Sequence, residues 1–193
     1  SGIAISGDDA GNYTLQNTTA STTANVTAKA LTASYIASNK VYDGGVSASV
    51  TGSSSDIITG DLVTIANNSA TFDTKNVGAG KTVSVAGIAI SGDDAGNYTL
   101  QNTTASTTAN VIAKALTASY TASNKVYDGS TTASVTGSSA DIVTNDKVSF
   151  ANTGATFDTK NVGTGKTVSV AGIAISGDDA GNYSLQNTTA SAT

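Results

Sequence analysis

Apolar and polar residues alternate along this chain in short runs. Leu116, Ala118 and Tyr120 are interleaved with Thr117, Ser119 and Thr121, so residues 111–122 predict a half-buried strand. Val83 and Val85, then Ile88 and Ile90, make a second run in which Gly87 breaks the register and predicts a bulge. Tyr98 and Leu100 resume the alternation after Ser91-Gly92-Asp93-Asp94-Ala95-Gly96, which reads as a hairpin turn. Val63 with Ile65, and Ala70 with Phe72, supply two further strands. Residues 52–61, rich in Gly, Ser and Asp, predict a loop or a single helical turn. No long stretch has a convincing helical period.

This pattern repeats. Gly2-Ile3-Ala4-Ile5-Ser6-Gly7-Asp8-Asp9 returns from Gly87 and again from Gly172, at an interval of 85 residues. That interval is too long for a solenoid coil and suits a small domain. The spacing predicts a module over 29–113 and a second over 114–193 that lacks its last strand. Residues 1–28 then form the C-terminal part of a preceding repeat. The expected fold class is all-β: tandem small β-sandwich modules of immunoglobulin-like type forming an extended rod. A β-grasp-like sheet with one short helix is the alternative. The junction Thr108-Ala109-Asn110-Val111-Ile112-Ala113-Lys114 has no Gly or Pro, which predicts a strand running almost unbroken between modules. Where the copies differ, Ile58/Val143 and Ile65/Phe150 stay apolar, as core sites would. Leu62/Lys147 marks a surface site.

Composition narrows the chemistry. The 193 residues include no Cys, His, Met, Trp or Pro, and also no Glu or Arg. All 14 acids are Asp and all 9 bases are Lys, for a net charge of −5. Disulfides, thiolate nucleophiles, imidazole bases and Cys or His metal sites are thereby excluded. The acidic balance and the lack of Arg argue against nucleic acid, and the short apolar runs argue against membrane insertion. These absences predict no enzyme activity.

Two recurrent motifs remain as candidate sites. Tyr42-Asp43-Gly44 and its copy Tyr127-Asp128-Gly129 predict tight turns, with a ligand-binding loop as the functional reading. The pairs Asp93-Asp94 and Asp178-Asp179 offer adjacent hard oxygens to Ca²⁺, or else form solvated turns. Asp56/Asp61 and Asp141/Asp146 are poorer candidates on the same argument. Gly78-Ala79-Gly80-Lys81-Thr82 and Gly163-Thr164-Gly165-Lys166-Thr167 look like the end of a phosphate loop, but the glycine spacing is wrong. They predict hairpin turns.

Lys-Ala-Leu-Thr, Lys-Val-Tyr-Asp-Gly, Thr-Phe-Asp-Thr-Lys-Asn-Val-Gly and Ser-Gly-Asp-Asp-Ala-Gly-Asn-Tyr follow one another in both modules. In this the chain resembles the YDG repeats and the related MBG repeats of large bacterial surface adhesins of the filamentous-haemagglutinin kind. The resemblance implies an extracellular, all-β stalk on the bacterial cell surface that supports adhesion or biofilm by projecting a distal binding domain. Expected partners are neighbouring repeats, a second copy joined head to tail, or a host or matrix glycan bound by the repeats themselves. No cofactor is implied beyond the Ca²⁺ considered above.

Overall fold

A computed structural model describes residues 2–192. Beyond residue 28 the chain is almost entirely short strands and turns. The first repeat contributes β1 (Lys29–Leu31), β2 (Ser34–Ala37), β3 (Lys40–Val41), β4 (Val50–Ser53), β5 (Thr64–Ala66), β6 (Ser69–Phe72), β7 (Gly78–Ala86), β8 (Ala89–Ser91), β9 (Tyr98–Leu100) and β10 (Thr104–Ile112). The second contributes β11 (Lys114–Leu116), β12 (Ser119–Ala122), β13 (Val135–Ser138), β14 (Ser149–Ala151), β15 (Gly154–Phe157), β16 (Val168–Ala171), β17 (Ala174–Ser176), β18 (Tyr183–Leu185) and β19 (Thr189–Ala192). The helical pieces are three-residue 3-10 turns, Ala10–Asn12, Ala95–Asn97 and Ala180–Asn182. Among the described residues no helix is long enough to cover a grasp-like sheet, so the all-β reading stands and its grasp-like alternative does not.

In the first repeat, β3-β10-β7-β6 form a four-stranded sheet. Three two-stranded pairs surround it: β2 with β4 and β5 with β8 antiparallel, β1 with β9 parallel. The alternation along β7 explains which face is inside. Val83 and Val85 are buried and face Phe72, Tyr35 and Ile88, while Thr82, Ser84 and Ala86 stay outside. The second repeat does the same with Val168, Val170, Ile173 and Tyr120.

Several expectations are corrected here. Residues 111–122 are not one strand: β10 ends at Ile112, and β11 and β12 flank a break at Thr117 and Ala118. Gly87 is a corner and not a bulge. With φ of +68° it turns the chain out of β7, which pairs with β6 and β10, into β8, which pairs with β5. Residues 91–96 are not a hairpin turn either, because β8 and β9 pair with different partners. The Gly-Asp-Asp segment closes into a 3-10 turn instead. Gly78–Thr82 is no turn in the first repeat but the start of β7. Its copy at Gly163–Thr167 lies outside any strand.

The predicted strand between modules is present: only Ala113 separates β10 from β11, which pairs in parallel with β18 of the second repeat. One apolar cluster follows it across. Val111 and Tyr42 of the first repeat are buried together with Leu116 and Tyr183 of the second. The leading segment behaves differently. Ile3, Ile5 and Tyr13 are exposed, and Val26 is fully exposed.

Candidate functional site: the junction between repeats

The two Tyr-Asp-Gly copies share a local fold. Lys40 reaches Asp43 at 2.7 Å, and the Asp43 carboxylate accepts the Gly45 N–H at 2.8 Å. In the second copy, Lys125 reaches Asp128 at 2.7 Å, and Asp128 also accepts from the Ser130 N–H. The Lys125 ammonium, with the Ser130 donors, holds the Asp128 carboxyl down at about 2. Both glycines sit at φ of +80°. The turns are therefore self-contained, as the structural reading of the motif expects.

Their tyrosines part company. Tyr42 is 1% exposed and Tyr127 is 57% exposed. Tyr42 is covered by the second repeat, where its hydroxyl donates to Asp146 Oδ2 at 2.8 Å. Tyr183 donates to the same oxygen at 2.6 Å, and Lys75 Nζ meets Asp146 Oδ1 at 3.2 Å. The Tyr42 and Tyr183 rings meet edge to face, with centroids 5.6 Å apart and planes at 74°. Lys75 also reaches Asp179 at 3.2 Å and lies 5.8 Å from the centre of the Tyr42 ring. Nearby, the Val77 N–H donates to Asn182 Oδ1 at 3.0 Å. Gly44 completes the contact, since a Cβ there would stand 2.8 Å from Val143 Cγ1.

The receiving face is built before it receives anything. At the far end of the first repeat, Tyr98 donates to Asp61 at 2.6 Å and accepts from the Ile58 N–H at 2.9 Å. Tyr183, Asp146 and Val143 repeat that arrangement in the second. The junction adds Tyr42 and Lys75 to a carboxylate already held in place. It also explains the apolar pair Ile58/Val143, which is not core as expected. Val143 is packed under Gly44, and Ile58, with no repeat against it, is exposed. Leu62 is exposed, as its exchange for Lys147 predicted.

The Asp pairs divide their work. Asp179 Oδ2 accepts the Lys147 N–H at 2.9 Å while its other oxygen takes Lys75. Asp94 accepts the Leu62 N–H at 2.8 Å. Asp93 is exposed, and Asp178 meets the exposed Lys147 at 3.3 Å. Among the described residues no three acidic side chains gather as a metal site. Asp56 and Asp141 brace the entry of each repeat by accepting the N–H groups of Thr32 and Thr117, each at 2.9 Å. The central residues of the junction, Asp146, Lys75 and Asn182, were not legible as such. Identity between copies cannot single them out, because nearly every position is repeated.

Electrostatics at the junction follow from this geometry. Burial pushes the Asp146 carboxyl up, but the Tyr183 and Tyr42 hydroxyls and the Lys75 ammonium outweigh it and leave it below its ordinary 3.8. Burial, and next the Asp146 carboxylate, push the Tyr183 phenol up to about 12. Tyr42 is raised for the same two reasons. A depressed carboxylate contributes stability above its unfolded value and loses it as pH falls further. A raised phenol contributes below its unfolded value, 10.0, and loses it as pH rises toward about 12. The junction is thus weakened below about pH 4 and above about pH 10. Site-resolved NMR titration of the tyrosine ring carbons is expected to find Tyr183 ionising last. Ionisation of Tyr183 at the ordinary value would contradict the buried Asp146 contact.

Comparison with known proteins agrees with the internal repeat. Residues 27–107 and 112–191 each match the family model described as YDG domain. No curated protein and no solved structure matches the chain.

Proposed function

Since the chain belongs to the YDG domain family, we propose that it is a non-catalytic repeat region that spaces and orients a binding domain carried elsewhere in a bacterial surface adhesin. It works outside the cell. The observation that carries this reading is the junction: a near-continuous strand, a shared apolar cluster, and a buried Asp146 held by donors from both repeats. Such a junction resists bending, because tilting one repeat strips Asp146 of Tyr42 and Lys75 and leaves a buried carboxylate short of partners. Stacked modules of this kind transmit length at a fixed orientation. The composition supports the same reading, since it lacks Cys, His, Glu and Arg and is dominated by small hydroxyl and amide residues.

Small-angle X-ray scattering tests it. The expected profile is that of an elongated particle one module wide. The double variant Tyr42→Ala, Lys75→Ala is expected to broaden the distance distribution through flexing at the junction. A compact particle, or a variant with an unchanged profile, would remove the stiff-spacer reading.

A further inference from the structure

Tension drawn along the chain enters the first repeat at β1 and leaves it at β10, where only Ala113 intervenes before β11. Both of these strands are paired in parallel. β1 pairs with β9 from Lys29↔Tyr98 to Leu31↔Leu100. β10 ends in the pairs Val111↔Lys40 and Ile112↔Val41 with β3. A parallel pair is loaded in shear when one strand is pulled by its N-terminal end and the other by its C-terminal end. The hydrogen bonds of the pair cross the strand axis, so they share such a load and must give way together. β1 is pulled by its N-terminal end, and β9 runs on through residues 101–103 into β10, which is pulled by its C-terminal end. β10 is drawn against β3 in the same way, because β3 is tied back toward β1.

Side chains lengthen both pairs. Past β1, Asn102 grips the main chain of Ala33: its Oδ1 accepts the Ala33 N–H at 2.8 Å, and its Nδ2 donates to the Ala33 carbonyl at 3.0 Å. The Gln101 N–H donates to the Leu31 carbonyl at 2.9 Å. Beside β3, the Tyr42 N–H donates to the Ile112 carbonyl at 2.8 Å, and Asn39 Oδ1 accepts the Asn110 N–H at 2.7 Å. Leu31 and Val111 are buried, so neither β1 nor β10 slides without drawing an apolar side chain out of the core. The entry pair recurs in the second repeat. There β11 pairs with β18 in the same register, Asn187 grips the main chain of Ala118 at 2.8 and 3.0 Å, and Leu116 is fully buried.

We propose that the repeat is a tension-bearing element, with the β1–β9 and β3–β10 pairs as shear clamps where the chain enters and leaves. Asn102 supplies a side-chain rung that extends the entry clamp beyond the three paired residues of β1. This function goes beyond the spacer reading and does not rest on it. Bending is resisted by contacts between repeats, whereas tension is resisted by strand pairs within one.

Single-molecule force spectroscopy on the whole chain tests it. The sequence has no Cys, so exposed positions replaced by Cys give unique handles. Thr27→Cys with Ile112→Cys loads both clamps in shear. Ala79→Cys with Ile112→Cys pulls β7 and β10 apart from the end where Gly78 faces Val111, so their rungs break one after another. At equal pulling speed the first pair of handles is expected to need a several-fold higher force, and full unfolding between them releases about 25 nm of chain. Asn102→Ala is expected to lower the force between the first handles and to leave that between the second nearly unchanged. A general loss of stability lowers both. Equal forces for the two pairs of handles in the unaltered repeat, or an Asn102→Ala variant weakened alike in both directions, would overturn the proposal.

Discussion

Replacing Asp146 by alanine is expected to destabilise the chain by about 3 kcal/mol, and Asp61→Ala by clearly less. The two residues occupy one position in two repeats, so they share local backbone, turn and tyrosine partner. Each accepts a hydroxyl, from Tyr183 or from Tyr98, at 2.6 Å. Only Asp146, whose side chain is 3% exposed, also holds Tyr42 and Lys75. Its removal leaves two buried hydroxyls without their acceptor, at the cost of desolvated, unpaired donors, and leaves the Lys75 ammonium with Asp179. The difference between the variants therefore isolates the junction from the repeat. Denaturant unfolding of both variants measures it. Equal losses would mean that the junction contributes nothing to stability.

Leu116→Ala is expected to cost about 3 kcal/mol and to uncouple the repeats. Leu116 is fully buried, on the short strand that follows directly from β10. It shares a cluster with Val111 and Tyr42 of the preceding repeat and with Tyr183 of its own. Its truncation opens a cavity where the two cores meet. Repeat arrays unfold together only while nearest-neighbour contacts outweigh the differences between units. Site-resolved unfolding, read at Tyr35 in the first repeat and Tyr120 in the second, is expected to show one midpoint in the wild type and two in the variant. A loss below about 1 kcal/mol with a single midpoint would place Leu116 outside the junction.

The strands were legible where alternation was strong. Val83 and Val85, Phe72, Tyr35 and Tyr120 point inward as their spacing requires, because a pleated strand turns successive side chains to opposite faces. Pairing was not legible. Gly-Asp-Asp looked like a hairpin turn because a Gly-flanked polar segment separates two strand patterns. Local patterning cannot tell that β9 pairs with the distant β1 in parallel. Gly78–Thr82 and Gly163–Thr167, which differ only at Ala79/Thr164, make the same point. With Ala109–Val111 alongside, the first is strand; in the second repeat, the copy is not.

The sequence by itself determined the repeat, its 85-residue period, the all-β class, the alternation that builds each small core, and the absence of Cys, His, Glu and Arg from any chemistry. These are properties of composition and of local periodicity, which a single chain carries openly. Only the tertiary structure decided that Tyr42 is buried and Tyr127 exposed, that Asp146 is the centre of a junction, and that Val143 lies beneath Gly44. Tyr42 and Tyr127 are the same residue in the same local setting, as are Asp146 and Asp61, and Val143 differs from Ile58 only in apolar size. What separates them is whether another repeat stands against them, and that depends on contacts more than a hundred residues apart along the chain, such as Tyr42 with Asp146.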